Sequence, residues 1–272
     1  MAPTTPTTTA KGSAPSGAPA VVPPMAWTDA ELVDPHAASD KPAKVRGMFA
    51  AIARWYDLNN RVHSLGRDQA WRRFAVRDAG VRPGDTVIDV ACGTGDLTQA
   101  FAGTGAARVV GVDFTPEMLD QARRKQMRLA PVNAAKIEYV EGDAQALAFA
   151  DASADVVSIA FGLRNVADPE RALREFARVL RPGGRLVVLE FDRPRLAPVR
   201  WFNAWYAGWL MPRTATLISG DRTGAYRYLP RSVGTFMPSR ELCAVLGACG
   251  FREVRARALT LGICACTRGV RA

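Results

Sequence analysis

Between positions 86 and 191 the chain alternates short apolar runs with longer stretches in which apolar residues recur every three or four positions, the pattern of strands alternating with helices. The runs 86–91, 108–113, 137–140, 154–161 and 185–191 predict five strands, and the first is apolar enough for the middle of a parallel sheet. Thr115 predicts a helix cap followed by Pro116, with Met118, Leu119, Ala122 and Leu129 facing inward. Asp168 and Pro169 predict another, with Leu173, Phe176, Val179 and Leu180 inward and Pro182-Gly183-Gly184 ending it. The alternation implies an α/β, doubly wound parallel sheet whose ligand lies outside the carboxyl ends of the strands.

Those carboxyl ends carry polar groups. The first strand, with Asp89, runs into Cys92-Gly93-Thr94-Gly95-Asp96, where Gly93 and Gly95 let the backbone approach a ligand; a tight strand-to-helix turn is the plain alternative. The second strand ends at Asp113, eighteen residues beyond Gly95, where a carboxylate can take the two hydroxyls of a ribose. The third leads into Gly142-Asp143-Ala144, suited to an adenine edge, and the fourth into Gly162-Leu163-Arg164-Asn165. A dinucleotide fold would want a third glycine where Thr98 stands, so a pyrophosphate is not provided for.

Taken together, acid-x-x-x-Gly-x-Gly, a second-strand Asp, Gly-Asp-Ala and a fifth strand announced by Arg-Pro-Gly-Gly resemble the class I S-adenosylmethionine-dependent methyltransferases. Phe161-Gly162-Leu163-Arg164-Asn165-Val166, Leu189-Glu190-Phe191 and Trp55-Tyr56-Asp57-x-x-Asn60 narrow this. With them the chain is similar to the UbiE/MenG family of menaquinone and ubiquinone C-methyltransferases, from about residue 45 to the C-terminus. Ser64-x-Gly66, Trp71-Arg72-Arg73, Tyr226-x-Tyr228-Leu229, Gly250-Phe251 and Thr267-Arg268-Gly269 extend the match. The resemblance implies a Rossmann-like sheet of seven mostly parallel strands, helices on both faces and an antiparallel last strand. It implies S-adenosyl-L-methionine as methyl donor, with Asp89, Gly93, Thr94 and Gly95 at its methionine part, Asp113 and Phe114 at the ribose, and Asp143 and Ala144 at the adenine. Two departures stand out: Ala160 replaces a serine often present in the family, removing one hydrogen bond, and Ala91 replaces the first glycine of the general methyltransferase loop.

The implied reaction is C-methylation of a lipid-soluble prenylated quinol, demethylmenaquinol first, with the benzoquinol of the ubiquinone route, or both rings, as the alternative. Losing a hydroxyl proton puts negative charge on the neighbouring ring carbon, so the enzyme needs no nucleophile of its own; it must position, accept a proton, stabilise the quinolate and exclude water. Arg164 is the leading catalytic candidate, stabilising the quinolate or orienting a water, with an ion pair holding its loop as the alternative role. Asn165 would fix that loop or bind a quinol oxygen, and Tyr56 and Asp57 would form part of a lid and relay a proton, unless they only pack and cap a helix. Of the two histidines, His36 falls in an expected disordered segment, which leaves only His63 as a histidine base, and the resemblance gives it no support. A scaffold binding the cofactor without catalysis is disfavoured by the intact Asp113, Asp143 and Arg164.

Composition adds boundaries. Residues 1–42, rich in Ala, Pro, Thr and Ser, are expected to be a disordered tail, leaving 43–272 as one domain with lid helices over 43–80 and an aromatic lid insertion over 194–237. The formal net charge of +10 raises the question of nucleic acid, yet the fourth strand does not end in a Pro-Pro-Tyr type of motif or a following Pro-Cys, so no nucleic-acid partner is expected. A membrane partner is expected instead, because Trp201, Phe202, Trp205, Tyr206, Trp209, Leu210 and Met211, flanked by Arg200 and Arg213, can line a helix for peripheral contact with anionic lipid, although an ordinary buried lid would use the same residues. No apolar run reaches eighteen residues and no export signal is evident, so the expected compartment is the cytoplasm or the inner face of its membrane. Five cysteines, including Cys264-x-Cys266 on a predicted strand, suggest neither a disulfide framework nor a metal site.

Overall fold

The structure, a computed structural model, describes residues 26–272. Its first helices, α1 (Lys41–Ile52), α2 (Tyr56–His63) and α3 (Arg67–Ala79), precede the sheet. Strands and helices then alternate as β1 (Thr86–Val90), α4 (Asp96–Ala102), β2 (Arg108–Asp113), α5 (Pro116–Gln126), the single turn α6 (Pro131–Ala134), β3 (Ile137–Glu141), β4 (Ala154–Ala160), α7 (Pro169–Val179) and β5 (Leu180–Phe191). The helices α8 (Ala197–Trp205), α9 (Met211–Ser219), α10 (Ala225–Thr235) and α11 (Ser239–Ala248) lead to β6 (Phe251–Leu259) and β7 (Cys264–Arg271). The seven strands lie in the order β3-β2-β1-β4-β5-β7-β6. Only β7 runs against its neighbours, as expected.

Because alternate strand residues face opposite sides, the central strands are apolar on both. Ile88, Val110, Val157 and Val188 pack on one face with Leu173 and Phe176 of α7 and Leu242 and Leu246 of α11. Val87, Val109, Val156 and Val187 pack on the other with Trp71 and Ala75 of α3, Phe101 of α4 and Leu119 and Ala122 of α5. A third cluster, outside the sheet, joins Val45, Met48 and Ile52 of α1 to Met211, Ala215, Tyr226 and Tyr228 of α9 and α10. The chain leaves β1 for β2 and β3 on one side and β4 and β5 on the other, and the crevice at this switch point opens beneath the third cluster.

Four boundaries differ from the sequence expectations. Residues 26–42 are packed rather than tail: Trp27 and Leu32 are buried in the third cluster, and Trp27 stacks on Tyr228 at 4.6 Å between ring centroids. Residues 1–25 lie outside the described residues. Helix α3 belongs to the sheet layer rather than the lid, since Trp71, Ala75 and Ala79 lie in the cluster under the sheet. Helix α5 stops at Gln126, so Leu129 packs from beyond its end. Strand β5 begins at Leu180, and Arg-Pro-Gly-Gly is absorbed by a register shift opposite β4 instead of ending a helix.

Candidate active site

At the carboxyl end of β1 the backbone turns through left-handed conformations at Ala91 (φ 50°), Gly93 (φ 56°) and Gly95 (φ 81°). Gly95 is dictated by packing, because a Cβ there would collide with the Tyr139 hydroxyl of β3. The turn is pinned from the next strand: Asp113 accepts from the amide of Gly93 at 2.8 Å and from that of Thr115 at 2.9 Å. Asp113 thus satisfies the amide of Thr115 at the start of α5, where the Thr115 side chain makes no capping hydrogen bond. Burial raises the Asp113 carboxyl above its ordinary range, and these amides oppose the shift.

Asp89 lies just upstream, 1% exposed. It accepts from Thr98 at 2.6 Å and Ser158 at 2.7 Å. Burial pushes its carboxyl up to about 6, against those two hydroxyls. Thr98, whose presence argued against a dinucleotide, therefore has a positive role in orienting Asp89.

The main cavity is lined by Asp113, Phe114, Met118, Asp143 and Ala144, by Gly93 and Ala160, and by Tyr56, Phe49, Gly162, Asn165 and Val166. A smaller recess opens from it and shares Tyr56, Ala91, Gly93 and Ala160, adding Arg72, Asp89, Cys92, Thr94 and Leu97. Most of the sequence-predicted cofactor residues thus meet along one continuous space, although Asp143 is exposed and its carboxylate accepts from Gln145.

The predicted catalytic residues separate. Tyr56 lines both spaces, its ring edge-on to Phe49 at 5.9 Å, and burial raises its phenol above the ordinary value. Asn165 also faces the cavity. Its amide donates to Phe161 O at 3.3 Å and its carbonyl accepts from the Tyr228 hydroxyl at 2.9 Å. Arg164 does not line the cavity; it is buried, with one guanidinium nitrogen donating to Glu190 at 2.7 Å and to Phe161 O at 2.6 Å. The alternative role, an ion pair holding the loop, is the geometry found.

Asp57 likewise does not line the cavity. It accepts from the Thr94 hydroxyl and from Lys125, each at 2.6 Å. Lys125 also pairs with Asp96, which takes Arg61 and Gln69 as well. Burial would raise Asp96, but Lys125 and Arg72 outweigh it and hold the carboxyl at about 2. Helix α2 is thereby clasped to the glycine turn by charge.

His63 is a strut between α2 and α9, its ring bonding Asn59 O at 2.9 Å and Thr214 at 2.8 Å. His36, expected in a disordered tail, instead bonds Ser232 O at 3.0 Å and Lys41 at 3.2 Å. Lys41 donates to Val166 O at 2.7 Å on the cavity wall, and burial, aided by Arg164, lowers its ammonium to about 8. Arg72, Tyr228 and Glu190 stood inside motifs already noted but without a role; Lys41 and Lys125 carried no local signal, since their partners lie on other elements.

Trp201, Phe202, Trp205 and Trp209 are exposed, between 44% and 72%, along α8 and the π turn Tyr206–Leu210, so an ordinary buried lid does not describe them. Tyr206 turns inward toward α2, donating to His63 O at 3.0 Å, and Met211 is buried. No helix among the described residues is long and apolar enough to cross a membrane.

Known proteins are similar to this chain over most of its length. A demethylmenaquinone methyltransferase of Deinococcus radiodurans is 46% identical over 225 residues, 82% of this chain and 91% of that one. The ubiquinone/menaquinone biosynthesis C-methyltransferase UbiE of Cronobacter sakazakii is 39% identical over 235 residues, 86% of this chain and 92% of its own. A crystal structure of a SAM-dependent methyltransferase from Aquifex aeolicus shares the fold with a TM-score of 0.53 at 17% identity, covering 74% of this chain and 89% of that one. The model of the ubiE/COQ5 methyltransferase family matches residues 37–271, spanning the glycine turn, the Arg164 loop and both lid segments, and the chain belongs to that family.

Proposed function

We propose that this enzyme transfers a methyl group from S-adenosyl-L-methionine to a ring carbon of a prenylated quinol, demethylmenaquinol in the first place. The carrying observation is a single cavity lined both by the carboxylates of Asp113 and Asp143 and by the apolar side chains of Phe49, Phe161 and Val166. Each Asp113 oxygen accepts one backbone amide and keeps a lone pair, which fits the two hydroxyls of a ribose. Ala144 and Phe114 flank it as apolar walls for a purine. When bound, S-adenosylmethionine supplies an electrophilic methyl on a sulfonium.

In the same cavity, Tyr56 and Asn165 would face the quinol. Because burial holds the Tyr56 phenol above its ordinary value, it stays protonated at neutral pH and donates a hydrogen bond to the quinolate oxygen rather than acting as base. Asn165 is held rigid at both ends by Phe161 O and Tyr228 and shapes the ring site. Arg164 is a positioning residue, tying the Phe161 carbonyl to Glu190 and so fixing the loop on which Asn165 stands. Pro42 and Phe49 of α1 wall the cavity and would help to exclude water from it.

The exposed aromatic stripe supports peripheral contact with an anionic membrane, where a quinol with a lipid tail resides. Between Arg193 and Gly220 the sequence has four arginines and no acidic residue, and the guanidinium of Arg213 lies 4.7 Å from the Trp209 ring centroid. Replacing Trp205 and Trp209 by serine is expected to abolish binding to phosphatidylglycerol vesicles in a protein that stays folded; unchanged binding removes the surface from the proposal.

The direct test is transfer of label from S-adenosylmethionine to reduced short-chain demethylmenaquinol, beside the matching benzoquinol and transfer RNA. Label in the naphthoquinol is the expected result, label in both rings makes the enzyme dual, and label in RNA alone overturns the proposal.

A further inference from the structure

Lys41, at the first position of α1, is 2% exposed. Its ammonium donates to Val166 O at 2.7 Å and to His36 Nδ1 at 3.2 Å, and both acceptors are neutral. The His36 tautomer follows from its other nitrogen: Ser232 O, 3.0 Å from Nε2, can only accept, so Nε2 carries the proton and Nδ1 the lone pair. Burial lowers the His36 pKa below its ordinary value, which keeps the ring in that form. One turn along the same helix, Lys44 is 5% exposed and pairs with both Glu31 and Asp40. Among the described residues Lys41 has no carboxylate partner, although a lysine is almost never buried unpaired.

The groups around it leave a positive surplus. Asp34, before α1, is exposed and its carboxylate accepts from the His36 amide. Arg164, on the loop that ends at Val166, is paired with Glu190 of β5. Tyr228 of α10 stays a neutral phenol, pushed up to about 12 by burial, and Arg231 on that helix is exposed. Asp168, beyond the loop, is exposed and caps α7. A buried cation that no carboxylate compensates is costly unless an anion comes close. The space for one is adjacent: Pro42, which follows Lys41 in the chain, and Val166, whose carbonyl Lys41 holds, both line the main cavity beside Asn165.

We infer that Lys41 is a positioning residue for the methyl acceptor: it fixes the Asn165–Val166 end of the loop, and its unpaired charge makes the cavity favour an anionic ring, the quinolate, over a neutral one; this rests on the quinol reading proposed above. The ammonium does not have to touch the ring, because a charge behind a wall of low dielectric acts across it.

The test is equilibrium binding, with S-adenosylhomocysteine present, of a hydroxynaphthoquinone, which is an anion at neutral pH, and of the same naphthoquinone without the hydroxyl. The native protein, K41M and K41R are compared. The native protein is expected to prefer the anion, and K41M to bind it roughly 10- to 100-fold more weakly while changing less than about threefold toward the neutral ring. K41R keeps the charge and is expected to keep the preference. Burial, aided by Arg164, lowers Lys41 to about 8, so raising the pH separates charge from structure. The native preference is expected to fall about tenfold between about pH 7 and pH 9.5, and that of K41R to persist, because a guanidinium does not titrate there. Equal losses for both rings in K41M, a K41R that prefers the anion no more than K41M does, or a native preference that pH does not move overturns the inference. Should K41M fail to fold, the pH series on the native protein decides alone. Native protein that binds S-adenosylhomocysteine but neither naphthoquinone refutes the quinol reading itself. Native protein that binds both rings equally leaves that reading in place and removes Lys41.

Discussion

The Cβ of Ala91 lies 2.5 Å from where a Cβ on Gly162 would stand, so the ends of β1 and β4 are matched as one methyl against one hydrogen. Ala91 holds a left-handed backbone at φ 50°, a conformation that costs an alanine about 1 kcal/mol and that glycine adopts freely. The general methyltransferase loop has glycine there; this chain places the methyl at Ala91 and the glycine at 162 instead. Gly162→Ala is therefore expected to destabilise the protein by about 1–3 kcal/mol and to weaken S-adenosylhomocysteine binding. Ala91→Gly should leave stability within about 1 kcal/mol, and combined with Gly162→Ala should restore most of the loss. Urea unfolding of the three variants checks this: additive losses would mean that the two positions do not share the space.

Asp57 distinguishes a proton relay from a clasp. Its two oxygens are taken by Thr94 and Lys125, and Asp57 is not among the residues that line the cavity. Asp57 and Lys125 are about a quarter to a third exposed, so the pair contributes less than about 1 kcal/mol. Asp57→Asn is expected to raise the KM for S-adenosylmethionine up to about tenfold while changing kcat less than about threefold. A kcat loss beyond about 100-fold at saturating cofactor would restore the relay.

Legibility followed the reach of each interaction. The five strands and the helix starts at Pro116 and Pro169 were readable because period and capping are local. Asp89, Asp113 and Asp143 were readable because a parallel sheet delivers strand ends to one edge. Arg164 was misplaced toward the cavity because its direction is set by Glu190, twenty-six positions away on β5. The segment around Trp27 looked like tail because its partner, Tyr228, is two hundred residues on and composition records no such contact. Lys41 and Lys125 were invisible for the same reason.

Arg164 and Glu190 are each 6% exposed, and removing one leaves the other charge buried alone. Arg164→Met and Glu190→Leu are each expected to cost about 3–5 kcal/mol, whereas the double variant should recover at least about 2 kcal/mol relative to their sum. The double variant is expected to bind S-adenosylhomocysteine within about threefold of the native protein and to lose about tenfold in kcat, since Asn165 loses its anchored loop. Native turnover in that variant would show that the ion pair serves stability alone.

Tyr56→Phe removes the one phenol that lines both the cavity and the recess. As a donor to the quinolate, it is expected to contribute about 10- to 100-fold in kcat, with cofactor affinity unchanged and no shift in the pH profile of the remaining rate. Loss of an ionisation from that profile would mean that Tyr56 acts as the base.

Asp89 makes stability depend on pH in an unusual direction. Its folded carboxyl is pushed up to about 6 from an ordinary 3.8 by burial, so between those values the folded chain holds a proton that the unfolded chain has released. Stability from this group is therefore fully present below pH 3.8 and is lost as pH rises through about 6, the opposite of a salt-bridged carboxylate. The loss is at most about 3 kcal/mol, the Thr98 and Ser158 hydroxyls that favour the charged form being already counted in the shift. Asp89→Asn, neutral throughout, is expected to gain about 2 kcal/mol of stability on the native protein between pH 4.5 and pH 7 without ligand. Its affinity for S-adenosylhomocysteine should nevertheless fall about tenfold or more, because the recess then lacks its negative charge. Urea unfolding between pH 4.5 and 7 decides the matter. Parallel stability curves for the two proteins would mean that Asp89 titrates in its ordinary range and that the recess does not store this energy for a cationic ligand group.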